Sequence, residues 1–149
     1  MTRSKIFLIA SILTLILYSM IIIIGLVYAI YSNLMPYHIA FIGMTVSQVS
    51  SFNPQLVILS QLSIFLIGFL FISSGALMVI IWHVGFRKAE KWSWIANLAA
   101  GALVIIPLLY VTFTVAGLNF PFPLICICLA VWIVAISLSI KEVFMNDAS

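Results

Sequence analysis

Charge is scarce in this sequence. Six lysines and arginines and three acids are spread over 149 residues, so charged side chains make up 6%, against about 25% in an ordinary soluble domain. None of them interrupts the long apolar runs. Ionisable groups within a bilayer mark proton relays, ion paths and counter-ions, so a proton-coupled transporter or an ion pump finds no support here. The net charge of +3 rests on too few cations to form the clustered basic face that nucleic acid requires.

Cysteine and histidine are equally sparse. Cys126 and Cys128 are the only cysteines. At 100° per residue they point about 200° apart on a helix, so they cannot chelate one metal, and the Cys-x-x-Cys redox spacing is absent. The two histidines, His38 and His83, fall at opposite ends of an apolar segment, which excludes a haem held between them. His83 reads as an interfacial residue. His38, beside Tyr37, is the better candidate for an outer-loop site. Hydrolase elbows, zinc-protease helices, phosphate loops and dinucleotide fingerprints are all missing. No catalytic residue, metal or cofactor is expected.

What is present is apolar: 66% of the residues, with a mean hydropathy of +1.37. A chain of this size buries only about two-thirds of its surface on folding, so lipid must solvate most of it. Four runs have the length of about 20 residues that crosses hydrocarbon. They cover about residues 6–31, 55–82, 92–116 and 124–140. The first is much longer than the apolar stretch of about 7–15 residues in a cleaved signal peptide, so it reads as a retained span, although Val27-Tyr28-Ala29 resembles a cleavage site. Continuous apolarity over such lengths excludes the alternating pattern of membrane strands. The expectation is an all-α, single-domain membrane four-helix bundle.

Breakers separate the runs. Residues 32–54 form the longest polar loop, and Thr45 with Gln48 has capping-box spacing for one short interfacial helix from Val46. Asn53-Pro54 reads as a helix start, Pro107 as a kink, and the segment 117–123 as a tight turn. Residues 83–91 make the second connection. The tail from Lys141 onward reads as polar and frayed.

The cations give the orientation. Arg3 and Lys5 precede the first run, Arg87, Lys88 and Lys91 separate the second from the third, and Lys141 follows the fourth. With four spans all three groups share one side, which the positive-inside rule makes cytoplasmic. Both termini are then inside and loop 32–54 outside. Trp82, Trp92 and Trp94 at one boundary, and Tyr28, Tyr31 and Tyr37 at the other, fit interfacial belts.

Helix contact in lipid uses small residues that let backbones approach. Gly68 and Gly75 share a face of the second span, Ala96 and Ala100 of the third, Ala135 and Ser139 of the fourth. Gln61 is the polar residue of most interest, because a primary amide in lipid must find a partner. It either bonds a neighbouring helix or lines a small-molecule pocket with Ser60 and Ser63.

Three stretches carry a family likeness: Gly43-Met44-Thr45, Phe52-Asn53-Pro54, and Gly85-Phe86-Arg87-Lys88-Ala89-Glu90-Lys91-Trp92-Ser93-Trp94. Together they resemble a loose group of small four-helix bacterial and archaeal membrane proteins, some described as DoxX-like. The likeness covers about a third of the chain and implies the four-helix fold. Members often carry a His-Asp-Arg run early in the second span, where this sequence has Ser60-Gln61-Leu62-Ser63, so no activity transfers. The leading functional expectation is a non-catalytic accessory or assembly subunit, partnered by the bilayer and by other membrane subunits or copies of itself. The alternatives are a binder of a lipid or quinone-like molecule tied to redox enzymes and, third, a small pore or transporter.

Overall fold

The computed structural model describes residues 4–145, and every regular element among them is helical. Arg3 and the last four residues lie outside the described residues. Helix α1 spans Lys5–Ile30, α2 Pro36–Ile42, α3 Val46–Phe52, α4 Pro54–Val84, α5 Lys91–Ala116 and α6 Phe122–Phe144, with a 3-10 turn at Phe86–Lys88 between α4 and α5. Four of these, α1, α4, α5 and α6, are long and apolar enough to cross a membrane.

The helix ends follow local chemistry. Ser4 Oγ accepts from the Phe7 amide at 3.2 Å and Asn53 Oδ1 from the Gln55 amide at 2.9 Å, each satisfying a donor that the first turn leaves free. Thr45 and Gln48 exchange both capping-box bonds, at 3.3 and 2.8 Å. α6 runs past the boundary read at residue 140. Val143 is buried and holds the last turn down, and Lys141 sits where the helix dipole favours a cation.

The outer loop holds two short helices where the sequence reading placed one. The additional one, α2, has Pro36 in its first turn, and the His38 ring accepts the Met35 amide at 3.1 Å. It stops at Gly43, whose φ of 71° is open to glycine at little cost.

Packing places α1 at the centre. It lies along α4 over most of its length and also against α6, while α6 packs on α5. α4 and α5 are consecutive yet touch far less. The buried faces mix large apolar side chains, among them Leu17, Tyr18, Met78, Ile105 and Trp132, with small and polar ones: Ala10, Ser11, Thr14, Ser93, Asn97, Ala135 and Ser139. The outward faces carry leucine, isoleucine and phenylalanine. Apolarity therefore does not separate the two faces, because lipid solvates apolar side chains, and close packing at small residues with bonds between helices holds the bundle together.

The tightest approach joins α1 and α4. A Cβ on Gly68 would lie 2.5 Å from the Ala29 amide nitrogen, and one on Gly25 would lie 2.7 Å from the Gly68 carbonyl oxygen. Gly75 faces Ile22 and the Tyr18 carbonyl. Ala135 and Ser139 are both fully buried on α6, and Ser139 Oγ accepts from Trp94 Nε1 at 2.9 Å. On α5 the buried line is Ser93, Asn97, Gly101 and Ile105. Ala96 and Ala100 lie one position earlier and are half-buried, because the Trp132 ring fills the space above Gly101 and leaves no room for a Cβ there.

Candidate functional site

A deficit of contact between α4 and α5 leaves a cleft of about 300 Å³. Its walls are Ile67, Leu70, Phe71 and Ser74 of α4 and Leu103, Val104, Pro107, Leu108 and Val111 of α5. It opens sideways, where Leu70 and Leu103 are exposed. A second lobe of about 180 Å³ continues toward the end roofed by Tyr37, Phe120 and Pro121, and a third of about 40 Å³ reaches inward to Tyr18 and Trp132. Leu108 lines all three lobes, and Phe71, Ile24 and Ile125 each line two. They are three adjoining cavities, together the chamber, that share these side chains as walls, and the cleft is the one that opens sideways.

Its lining is almost wholly apolar, so the few polar atoms on its rim stand out. An α-helical carbonyl points toward the amide four residues on, and Pro107 has no amide hydrogen to offer. The Leu103 carbonyl therefore lacks its helical partner at the mouth of the cleft. At the roof, the Tyr28 and Tyr37 hydroxyls meet at 2.5 Å. Thr112 is bonded to Leu108 of its own helix at 2.7 Å. At the inner end, the Tyr18 hydroxyl donates to Asn97 Oδ1 at 2.5 Å. Asn97 Nδ2 and Trp132 Nε1 are buried donors without an acceptor.

The sequence-derived residues fall in different places. Gln61 is half-buried and its Nε2 donates to Asn33 Oδ1 at 2.8 Å, tying the segment after α1 to α4. Ser60 and Ser63 donate to Leu56 and Leu59 of their own helix, both at 2.8 Å. None of the three lines the chamber. Tyr37 and His38 sit side by side on α2 with ring centroids 4.3 Å apart, and Tyr37 reaches the roof. Among the described residues no three His, Cys, Asp or Glu side chains gather as a metal site. Sequence reasoning missed Tyr18, Asn97 and Trp132 as a group. Asn97 alone carried a signal, as an amide inside an apolar run.

Of the tryptophans assigned to the boundary, two bridge helices. Trp82 Nε1 donates to Ser11 at 2.9 Å, and Trp94 to Ser139. Trp92 is exposed and donates to the Glu90 carboxylate.

Burial pushes the Tyr37 hydroxyl above the usual tyrosine range, with the Tyr28 hydroxyl adding to the effect. Burial also lowers His38 below the ordinary histidine value. Neutral His38 accepts the Met35 amide, and the protonated ring cannot. As pH falls from about 6.5, an unfolded α2 takes up the proton first. The cap therefore contributes fully above that value and is lost as pH drops through the lower, folded one. Hydrogen-exchange protection of the α2 amides should decline across that interval. His38→Gln should abolish the pH dependence, and a profile unchanged by the substitution would assign it elsewhere.

No protein-family model, curated protein or solved structure matches this chain.

Proposed function

We propose that the chain is a multi-pass protein of the cell membrane that holds a lipid or quinone-like molecule in the α4–α5 chamber. The adjoining apolar cavities, with the α4–α5 cleft opening sideways, carry this reading. Small-molecule sites are concave, mostly apolar and fitted with few polar groups. The freed Leu103 carbonyl suits a ligand hydroxyl at the mouth. The chain has no charged group within its apolar runs to perform chemistry or drive transport, so binding rather than catalysis is the role.

Both termini are cytoplasmic in this reading, because Lys5, Arg87, Lys88, Lys91 and Lys141 gather at one end of the bundle. Cysteines introduced by Ser47→Cys and Ala89→Cys, in a chain lacking Cys126 and Cys128, should label from outside and inside respectively. The reverse pattern would invert the topology.

An accessory or assembly role is the second reading. The small-residue seams that motivated it are consumed within the chain, Gly68 against Gly25 and Ser139 against Trp94. One exposed face open to a partner is the flank of α4, where Phe65 and Phe69 pack ring to ring at 4.8 Å.

One preparation separates the two. Mass spectrometry of protein extracted in mild detergent should find a lipid- or quinone-sized molecule that the cleft holds. Ser74→Phe should expel it by filling the cleft while leaving the helical signal intact. A chain bare of small molecules but carrying a stoichiometric second polypeptide would overturn the binding reading in favour of the accessory one.

A further inference from the structure

The basic end of the bundle carries a groove of about 530 Å³ that shares no lining residue with the chamber. Leu8, Ile12 and Leu15 of α1 form its apolar floor, Trp82 of α4 stands beside them, and Arg87 with Lys88 closes one end. The indole of Trp82 is fixed by two bonds to Ser11, both 2.9 Å.

The two cations sit on a constrained turn. Phe86 between them and α4 is fully buried, with its ring 5.9 Å from that of Phe7. The Ala89 amide closes the turn on the Phe86 carbonyl at 2.8 Å, and Ala89 takes a left-handed φ of 58°. Arg87 and Lys88 are thus held at the groove by the fold, and both side chains are solvent-exposed. This end is basic as a whole: among the described residues Lys5, Arg87, Lys88, Lys91 and Lys141 outnumber Glu90 and Glu142. The Glu90 carboxylate accepts a hydrogen bond from the Trp92 indole.

A hydrocarbon-lined trough ending in an arginine and a lysine matches a molecule with an acyl chain and a phosphate. Basic pockets between helices at the cytoplasmic boundary recognise anionic head groups, and guanidinium binds phosphate oxygens in a bidentate fork. We propose that this groove binds one anionic phospholipid, with its phosphate on Arg87 and Lys88 and an acyl chain along Leu8, Ile12 and Leu15. A zwitterionic lipid offers the same chain with no net negative charge, so head-group charge decides selection.

The test uses the full chain in mild detergent, with dioleoylphosphatidylglycerol and dioleoylphosphatidylcholine supplied in equal amounts and adducts read by native mass spectrometry. One phosphatidylglycerol should be retained in preference to phosphatidylcholine. R87Q/K88Q should weaken it roughly thirtyfold, from the attraction of two cations near a lipid surface. Lys141→Gln, at the same end but outside the groove, should leave it unchanged. Ile12→Trp should displace it by filling the trough with both cations in place. Equal retention of the two lipids, indifference to R87Q/K88Q, a loss on Lys141→Gln as large as on R87Q/K88Q, or full retention in Ile12→Trp would each overturn the proposal.

Discussion

Gly68→Val is expected to cost about 3 kcal/mol or more, read as a fall in the midpoint of reversible detergent-to-SDS unfolding. Overpacking a filled interior typically costs about 1–3 kcal/mol, when side chains can rotate away. Here they cannot. The first atoms a new Cβ meets are the Ala29 amide nitrogen at 2.5 Å and the Gly25 carbonyl oxygen at 2.8 Å, both backbone. Relief requires α1 and α4 to separate, and that contact is the most extensive in the bundle. Gly25→Val should behave alike, because the two glycines face each other. Gly75→Ala should be milder, since its nearest neighbour at 2.6 Å is a side-chain carbon, Ile22 Cγ1, and the nearest backbone atoms, the Tyr18 carbonyl oxygen and the Ile22 amide nitrogen, stand farther off at 3.1 and 3.2 Å. Equal losses at Gly68 and Gly75 would show that backbone contact is not what holds the seam. Because Ile24 and Phe71 line the chamber from these two helices, Gly68→Val should also release whatever the chamber holds.

A double-mutant cycle on Tyr18 and Asn97 should show strong coupling. Tyr18→Phe removes the one donor that Asn97 Oδ1 has, and Asn97 is fully buried. Asn97→Leu strands the Tyr18 hydroxyl in the same place. Each single change should cost about 1–3 kcal/mol, the range for leaving a buried polar group unsatisfied. The double variant should come back to near the parent stability or exceed it, because it also removes Asn97 Nδ2, which has no acceptor. Typical polar contacts between membrane helices measure only about 0.6 kcal/mol, because the membrane-unfolded state finds substitutes. A coupling of 1 kcal/mol or more would set this pair apart. Additive losses would mean that the two groups act separately.

The four spans were legible because hydrocarbon demands continuous apolar length, and nothing in these runs competes with that demand. Their ends were legible where Pro54 and Gly117 punctuate them, whereas α6 continues through Lys141 to Phe144. α2 was also written in the chain, with Pro36 at its start and Gly43 at its stop, but its seven residues have no face periodicity to announce a helix.

Which side of each helix faces inward was legible only in part. In water, apolar residues mark the buried face. In lipid both faces are apolar, and on α5 the Ala96–Ala100 pair read from the sequence lies one position off the Ser93–Asn97–Gly101 line that is buried. Trp132 over Gly101 and Tyr18 on Asn97, both from other helices, set which line turns inward.

The amino-acid order by itself determined a helical chain with four lengths fit to cross a membrane and its positive charge in three clusters, since each depends on neighbours along the backbone. Tertiary structure alone decided where α4 and α5 part to leave a chamber, and that a groove on α1 ends at Arg87 and Lys88. Both are spaces bounded by side chains distant in sequence, and a space has no signature in any one segment that borders it.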